Sequence, residues 1–143
     1  MDRPSRDLTY LKMAELMALR GTCKRAKVGC VIAVDNRVVV VSYNGALPNH
    51  EHCTDTICNS SAPCLNSVHA EANAIYFAAK KGIPLEGGTI YVTHSPCNKC
   101  AEAIIQAGIK KVIFGTVYRD TNFATFESSG VEIEQLKERV KAE

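Results

Sequence analysis

The chain has no tryptophan, and five tyrosines and four phenylalanines are its only aromatic side chains. No apolar run approaches the ~20 residues that a membrane-spanning helix needs; stretches such as Val38 to Val41 are among the longest. A large charge of one sign is also missing, since 17 basic and 15 acidic side chains leave a formal net charge of +2. That excludes a surface built to coat nucleic acid. Nine glycines and five prolines are too few for collagen-like or low-complexity sequence. The opening, Met1 to Arg6, is polar with no apolar stretch behind it, so no secretory leader is expected. The expectation is a soluble cytoplasmic protein, in the host cytoplasm if the source is viral, with no membrane and no nucleic acid as partners.

What is present is ordinary globular composition, 46% hydrophobic and 22% charged over 143 residues. A chain of this length buries about two-thirds of its unfolded surface and needs no disulfide staples. One domain, 1–143, is expected. Cysteine is the exception to ordinariness. There are seven: Cys23, Cys30, Cys53, Cys58, Cys64, Cys97 and Cys100. An odd number cannot all pair within one chain. In a reducing compartment, clustered cysteines are more often metal ligands or catalytic groups than disulfides.

Asp7 to Arg20 places Leu8, Leu11, Ala14, Ala18 and Leu19 at helical spacing, with Gly21 as a stop. Val28 to Val34 and Arg37 to Tyr43 are β-branched runs around the polar pair Asp35-Asn36, which predicts a hairpin. Asn44 to Ser67 has no periodicity and holds three cysteines and two histidines; a loop that long is functional or held by something. Helices are predicted over Val68 to Lys81, Cys97 to Ala107 and Thr121 to Ser129, and strands over Thr89 to Thr93, Lys111 to Gly115 and Val131 to Ile133. Glu134 to Lys141 reads as a charged, frayed end. Strands separated by single helices favour parallel pairing, so the fold class is α/β with a layered sheet.

Two motifs carry chemistry. His69-Ala70-Glu71 starts one helix, and Pro96-Cys97-Asn98-Lys99-Cys100 opens another. Cys97 and Cys100 share a helical face, so both sulfurs can reach one ion. One imidazole and two thiolates are three tetrahedral zinc ligands, with a fourth position open to water, the layout of a catalytic site. Glu71 is then placed to move protons between water and a substrate nitrogen. Each half also has a plain reading: Cys97 and Cys100 as a redox pair, His69 as a satisfied core histidine, Glu71 as a solvated helix residue. Together, with the halves 28 residues apart, they match the H-x-E and P-C-x-x-C signature of zinc deaminases.

The chain resembles the deoxycytidylate (dCMP) deaminase branch of the cytidine deaminase superfamily. The resemblance rests on Cys23-Lys24-Arg25, Val28-Gly29, Tyr43-Asn44-Gly45, His52-Cys53-Thr54-Asp55, Val68 to Ala74 and Tyr91 to Cys97, continues through Ile104 to Lys111 and Tyr118, and spans roughly residues 22 to 120. It implies a three-layer α/β/α fold with a central mixed sheet and a homohexamer. The implied reaction converts dCMP to dUMP and ammonia, supplying dUMP for thymidylate synthesis. Glu71 would take a proton from water attacking C4, protonate N3 and help ammonia leave. By position, Asn44 resembles a nucleoside contact, and the backbone at Ala70 and Ser95 would hold the pyrimidine edge. Arg25 is a phosphate candidate, and Tyr118 would pack on sugar or base. The plain alternatives are a left-handed turn residue for Asn44, a solvated arginine for Arg25 and a core aromatic for Tyr118.

The resemblance also implies a structural zinc held by Cys23, Cys53, Cys58 and Cys64, with His50 or His52 able to replace a thiolate; the alternative is free or partly buried thiols. Such a site would order the long loop. Cys30, mid-strand among Val28, Val31 and Ile32, reads as a small core residue. Many dCMP deaminases carry a glycine-rich stretch linked to binding of dCTP as activator and dTTP as inhibitor with Mg2+, and the resemblance implies the same control here. Here Ala46 to Glu51 has no further glycine, and Ser42 stands where relatives often carry glycine. Rival readings are a bifunctional dCMP/dCTP deaminase, another nucleoside or base deaminase, and a zinc-stabilised module without chemistry.

Overall fold

The computed structural model describes residues 3–23, 26–51, 67–118 and 120–138. Among the described residues, four helices and five strands follow in the order α1 (Arg6–Ala18), β1 (Gly29–Val34), β2 (Arg37–Tyr43), α2 (Ala70–Lys81), β3 (Thr89–His94), α3 (Asn98–Gln106), β4 (Lys111–Thr116), α4 (Phe123–Ser128) and β5 (Glu132–Gln135). The strands form one mixed sheet in the order β2-β1-β3-β4-β5. β1 runs antiparallel to both β2 and β3, while β3, β4 and β5 are parallel.

The expected parallel pairing holds where α3 and α4 cross over. α2 behaves differently. It connects β2 to a β3 that points the same way, but β1 lies between them, so the crossover skips a strand. β2, β3 and β4 therefore end at the same edge of the sheet.

β1 reads Gly-Cys-Val-Ile-Ala-Val without polar alternation because both of its faces are covered. Val31 and Ala33 join Tyr91 and Ile113 against Leu11 and Ala14 of α1. Cys30 and Ile32 join Ile90, Val92, Val112 and Phe114 against α2, α3 and α4 on the other face. These two cores make the three layers. α1 lies very close to the sheet at Gly29, where an added Cβ would sit 1.8 Å from the Ala14 carbonyl oxygen. Glycine is the residue that permits this approach.

The hairpin turn is as predicted. Asp35 and Asn36 take φ of 51° and 64°, the left-handed pair of a two-residue turn that Asp and Asn tolerate. α2 ends at Gly82 in the left-handed conformation, capped by its N–H on Ala78 and Ala79. Three expectations change, the first being that the helix predicted from Val68 begins at Ala70, because Val68 exchanges backbone hydrogen bonds with Gly45. The helix predicted over Thr121 to Ser129 is shorter, because Asn122 accepts from Ala124 N–H and caps it. Glu134 and Gln135 belong to β5 rather than a frayed end, since pairing with Ile113 and Phe114 fixes their backbone. No helix among the described residues is long and apolar enough to cross a membrane.

Candidate active site

The site forms where α2 and α3 begin, at the edge where β2 and β3 end. His69 and Cys97 occupy the N-cap positions of the two helices, both with extended backbone and neither making a side-chain cap bond. Ser, Thr, Asp or Asn would cap better there, so both helices carry a donor atom where local stability would favour a cap. Cys100 lies one turn into α3 on the same face. The two helices are tied down behind the site. Ser42 Oγ donates to the Ala70 carbonyl (2.5 Å), and Asn73 Nδ2 donates to the Tyr43 carbonyl (2.9 Å).

Nδ1 of His69 lies 3.5 Å from Cys97 Sγ and 3.4 Å from Cys100 Sγ. The three donor atoms all lie within 4.8 Å of one another. Tetrahedral zinc with ordinary bond lengths separates sulfur and nitrogen ligands by about 3.6 Å, so both imidazole–thiol spacings suit the ion. Hydrogen bonds from Cys100 and His69 bring Cys97 down to about 3, and Cys100 is pushed up because it keeps its proton toward Cys97. His69 is raised chiefly by its hydrogen bond to Cys97. Three such donor atoms within 4.8 Å of one another could hold a metal ion.

Glu71 follows in the first turn of α2 and is 4% exposed. Burial raises its carboxyl to about 7, with the His69 charge and hydrogen bonding to Cys100 pulling the other way. A solvated helix glutamate is therefore excluded. A carboxyl with that affinity accepts and donates protons with similar ease near neutral pH.

Asn44 is 5% exposed, and its side chain already works within the chain. Its Oδ1 accepts from Val28 N–H and its Nδ2 donates to the Ala26 carbonyl, each at 2.8 Å. Its backbone is not left-handed, so the turn-residue alternative does not hold. Ala70 is fully buried. Ser95 is buried too, and its N–H donates to the Thr116 carbonyl. Tyr118 is 40% exposed, which excludes the core-aromatic alternative. Cys30 is fully buried as expected, its thiol pushed well up by burial. Cys23 is half-buried and His50 exposed. Arg25, His52, Cys53, Cys58 and Cys64 lie outside the described residues. The sequence reading missed the side-chain roles of Ser42, Asn73 and Thr121. Nothing local marks them, because each acts on a partner more than 25 residues away.

The layered fold and the His/Cys/Cys set beside a buried carboxyl define a zinc-dependent hydrolase. Residues 4–116 match the family described as the cytidine and deoxycytidylate deaminase zinc-binding region. ComE operon protein 2 of Bacillus subtilis is 41% identical over 140 residues, covering 96% of this chain and 74% of that protein. The deoxycytidylate deaminase of Mycobacterium phage D29 is 35% identical, covering 80% of this chain and 97% of its own. The crystal structure of the dCMP deaminase of cyanophage S-TIM5, in complex with dCMP and dUMP, superposes with a TM-score of 0.84 at 32% identity, over 95% of this chain and all of that one. The chain belongs to the cytidine and deoxycytidylate deaminase family, and it is a zinc-dependent deaminase.

Proposed function

We propose that this chain, as a single deaminase domain over residues 1–143, hydrolyses dCMP to dUMP and ammonia. The observation that carries the chemistry is the convergence of His69, Cys97 and Cys100 beside the buried Glu71. The substrate is supported by the phage deoxycytidylate deaminase and the dCMP-bound neighbour, both over 30% identical. His69, Cys97 and Cys100 would hold the zinc, which when bound makes a water acidic enough to act at neutral pH. Glu71 would accept one proton of the attacking water and pass it to N3 of the cytosine, then take the proton of the resulting C4 hydroxyl and give it to the departing amine as C4=O forms and ammonia leaves. Its low exposure keeps that proton out of bulk water.

Around this centre the Asn44 amide holds residues 26–28 and keeps its second Nδ2 hydrogen for a nucleoside oxygen. The backbone at Ala70 and Ser95 frames the pyrimidine edge, Tyr118 lies along sugar or base, and Arg25 meets the phosphate. A four-thiolate zinc at Cys23, Cys53, Cys58 and Cys64 orders the long loop. The assembly is a homohexamer in the cytoplasm, activated by dCTP and inhibited by dTTP with Mg2+.

Ammonia release from dCMP, deoxycytidine and dCTP by the zinc-loaded protein tests this reading, each with and without added dCTP or dTTP and Mg2+. Turnover favouring dCMP supports the substrate, and an effector response supports the regulation. Turnover of deoxycytidine alone, or of none of the three, would overturn it. Metal analysis should find two zinc ions per chain, falling to one in Cys58→Ser/Cys64→Ser.

A further inference from the structure

Ser95 lies between the end of β3 and Cys97, and it is 3% exposed. Its backbone N–H donates to the Thr116 carbonyl at 2.9 Å, extending the β3–β4 pairing by one step. Its Oγ accepts the Tyr118 N–H at 2.7 Å and shares a second bond with Thr121 Oγ1, also at 2.7 Å. Since Oγ already accepts from Tyr118, its own proton is available for Thr121. The Thr121 N–H closes the segment on itself by donating to the Tyr118 carbonyl at 3.1 Å. One buried hydroxyl thus holds both ends of the turn at 118–121.

The consequence depends on where Ser95 sits. Cys97 follows two residues later, so the turn is fastened to the same short segment that carries a metal ligand. The turn and the residue before it present apolar surface, with Val117 53% and Tyr118 40% exposed. An exposed aromatic ring and an exposed aliphatic side chain, on a segment whose backbone is bonded to Ser95, suit the flat face of a pyrimidine and its sugar.

We propose that the Ser95 hydroxyl, with Thr121, is a positioning group that sets substrate affinity by holding the 118–121 turn beside the metal-ligand segment. The proposal rests on the deaminase reading above. Without the clamp the turn samples other positions, and apparent affinity falls by the fraction of time it is correctly placed. Once substrate is bound the turn is in place, so turnover at saturation changes little.

The test compares Ser95→Ala, Thr121→Val and Thr121→Ser in zinc-loaded protein. Ser95→Ala and Thr121→Val should raise KM for dCMP by about five- to tenfold, with kcat and zinc content within about twofold. Thr121→Ser keeps the hydroxyl and should keep the original KM. In nucleotide-free protein, amide exchange across 116–122 should be faster in the first two variants only. A purely structural role would lower the active fraction, and so kcat, while leaving KM alone; that result, or faster exchange with unchanged KM, would overturn the proposal. If the unaltered protein does not turn over dCMP, the substrate reading has failed. The exchange comparison then decides the clamp, and equal exchange in all variants rejects it.

Discussion

Replacing Glu71 by Gln tests the centre of the mechanism. The amide nearly matches the carboxyl in volume, so a site only 4% exposed gains no cavity and needs no repacking. None of the three donor atoms is altered, and zinc content should be unchanged. What disappears is the proposed proton carrier. Acid–base groups of this kind contribute about 10²–10⁴ in rate, or about 3–5.5 kcal/mol of barrier. Ammonia release should therefore fall by at least about a hundredfold in protein with full zinc. Turnover within about tenfold of the unaltered enzyme at full zinc would refute the role of Glu71.

The same substitution has a signature in stability. Burial raises the Glu71 carboxyl from 4.5 to about 7. The folded chain then keeps a proton that the unfolded chain has lost, so this group reduces stability as pH rises between those two values. The loss is complete above about 7 and is on the order of 3 kcal/mol. Gln at 71 carries no such loss. In metal-free protein its stability advantage should open across that window, measured by urea unfolding at pH 4.5 and 7.5. A difference between the two proteins that does not change with pH would refute the assignment.

Other perturbations read different parts of the fold. Gly29→Ala places a methyl group 1.8 Å from the Ala14 carbonyl oxygen and 2.6 Å from the Ala18 nitrogen, both backbone atoms that cannot rotate away. α1 must lift, and thermal unfolding should show a loss of about 3 kcal/mol or more. Phe126→Ala empties a fully buried position under α4, for a loss of about 3–5 kcal/mol in the same assay. Cys100→Ser removes one soft donor of three, and metal analysis and ammonia release should fall together. Zinc per chain equal to that of the unaltered protein, rather than lower by one ion, would show that the three donors do not share one ion.

Much of the architecture is legible in local pattern. The hairpin could be read because Asp35-Asn36 are residues that accept left-handed backbone, and the structure puts both there. Helix starts and stops followed from Pro96, Gly82 and Gly130. The candidate metal donors were legible because each half, His69 with Glu71 and Cys97 with Cys100, is a short-range pattern. Errors collected where long-range contacts override local signals. β5 extends through Glu134 and Gln135 because a neighbouring strand offers hydrogen bonds to charged residues that look like a tail. For Tyr118 the sequence left a surface ring and a core ring both open, and only the fold, which leaves it 40% exposed, removes the core alternative.

The sequence alone therefore determined the types and order of the elements, the donor atoms and the class of chemistry, all of which depend on residue identity and short spacing. The tertiary structure decided the rest: that β1 comes between β2 and β3, that His69 comes within 3.5 Å of Cys97 and Cys100, and that Glu71 is buried enough to titrate near neutrality. It also decided that the Ser95 hydroxyl meets a turn 23 residues away. The reason is physical. Strand order, desolvation and side-chain meetings across the sheet arise from packing the whole chain around two cores, and no local window contains both partners.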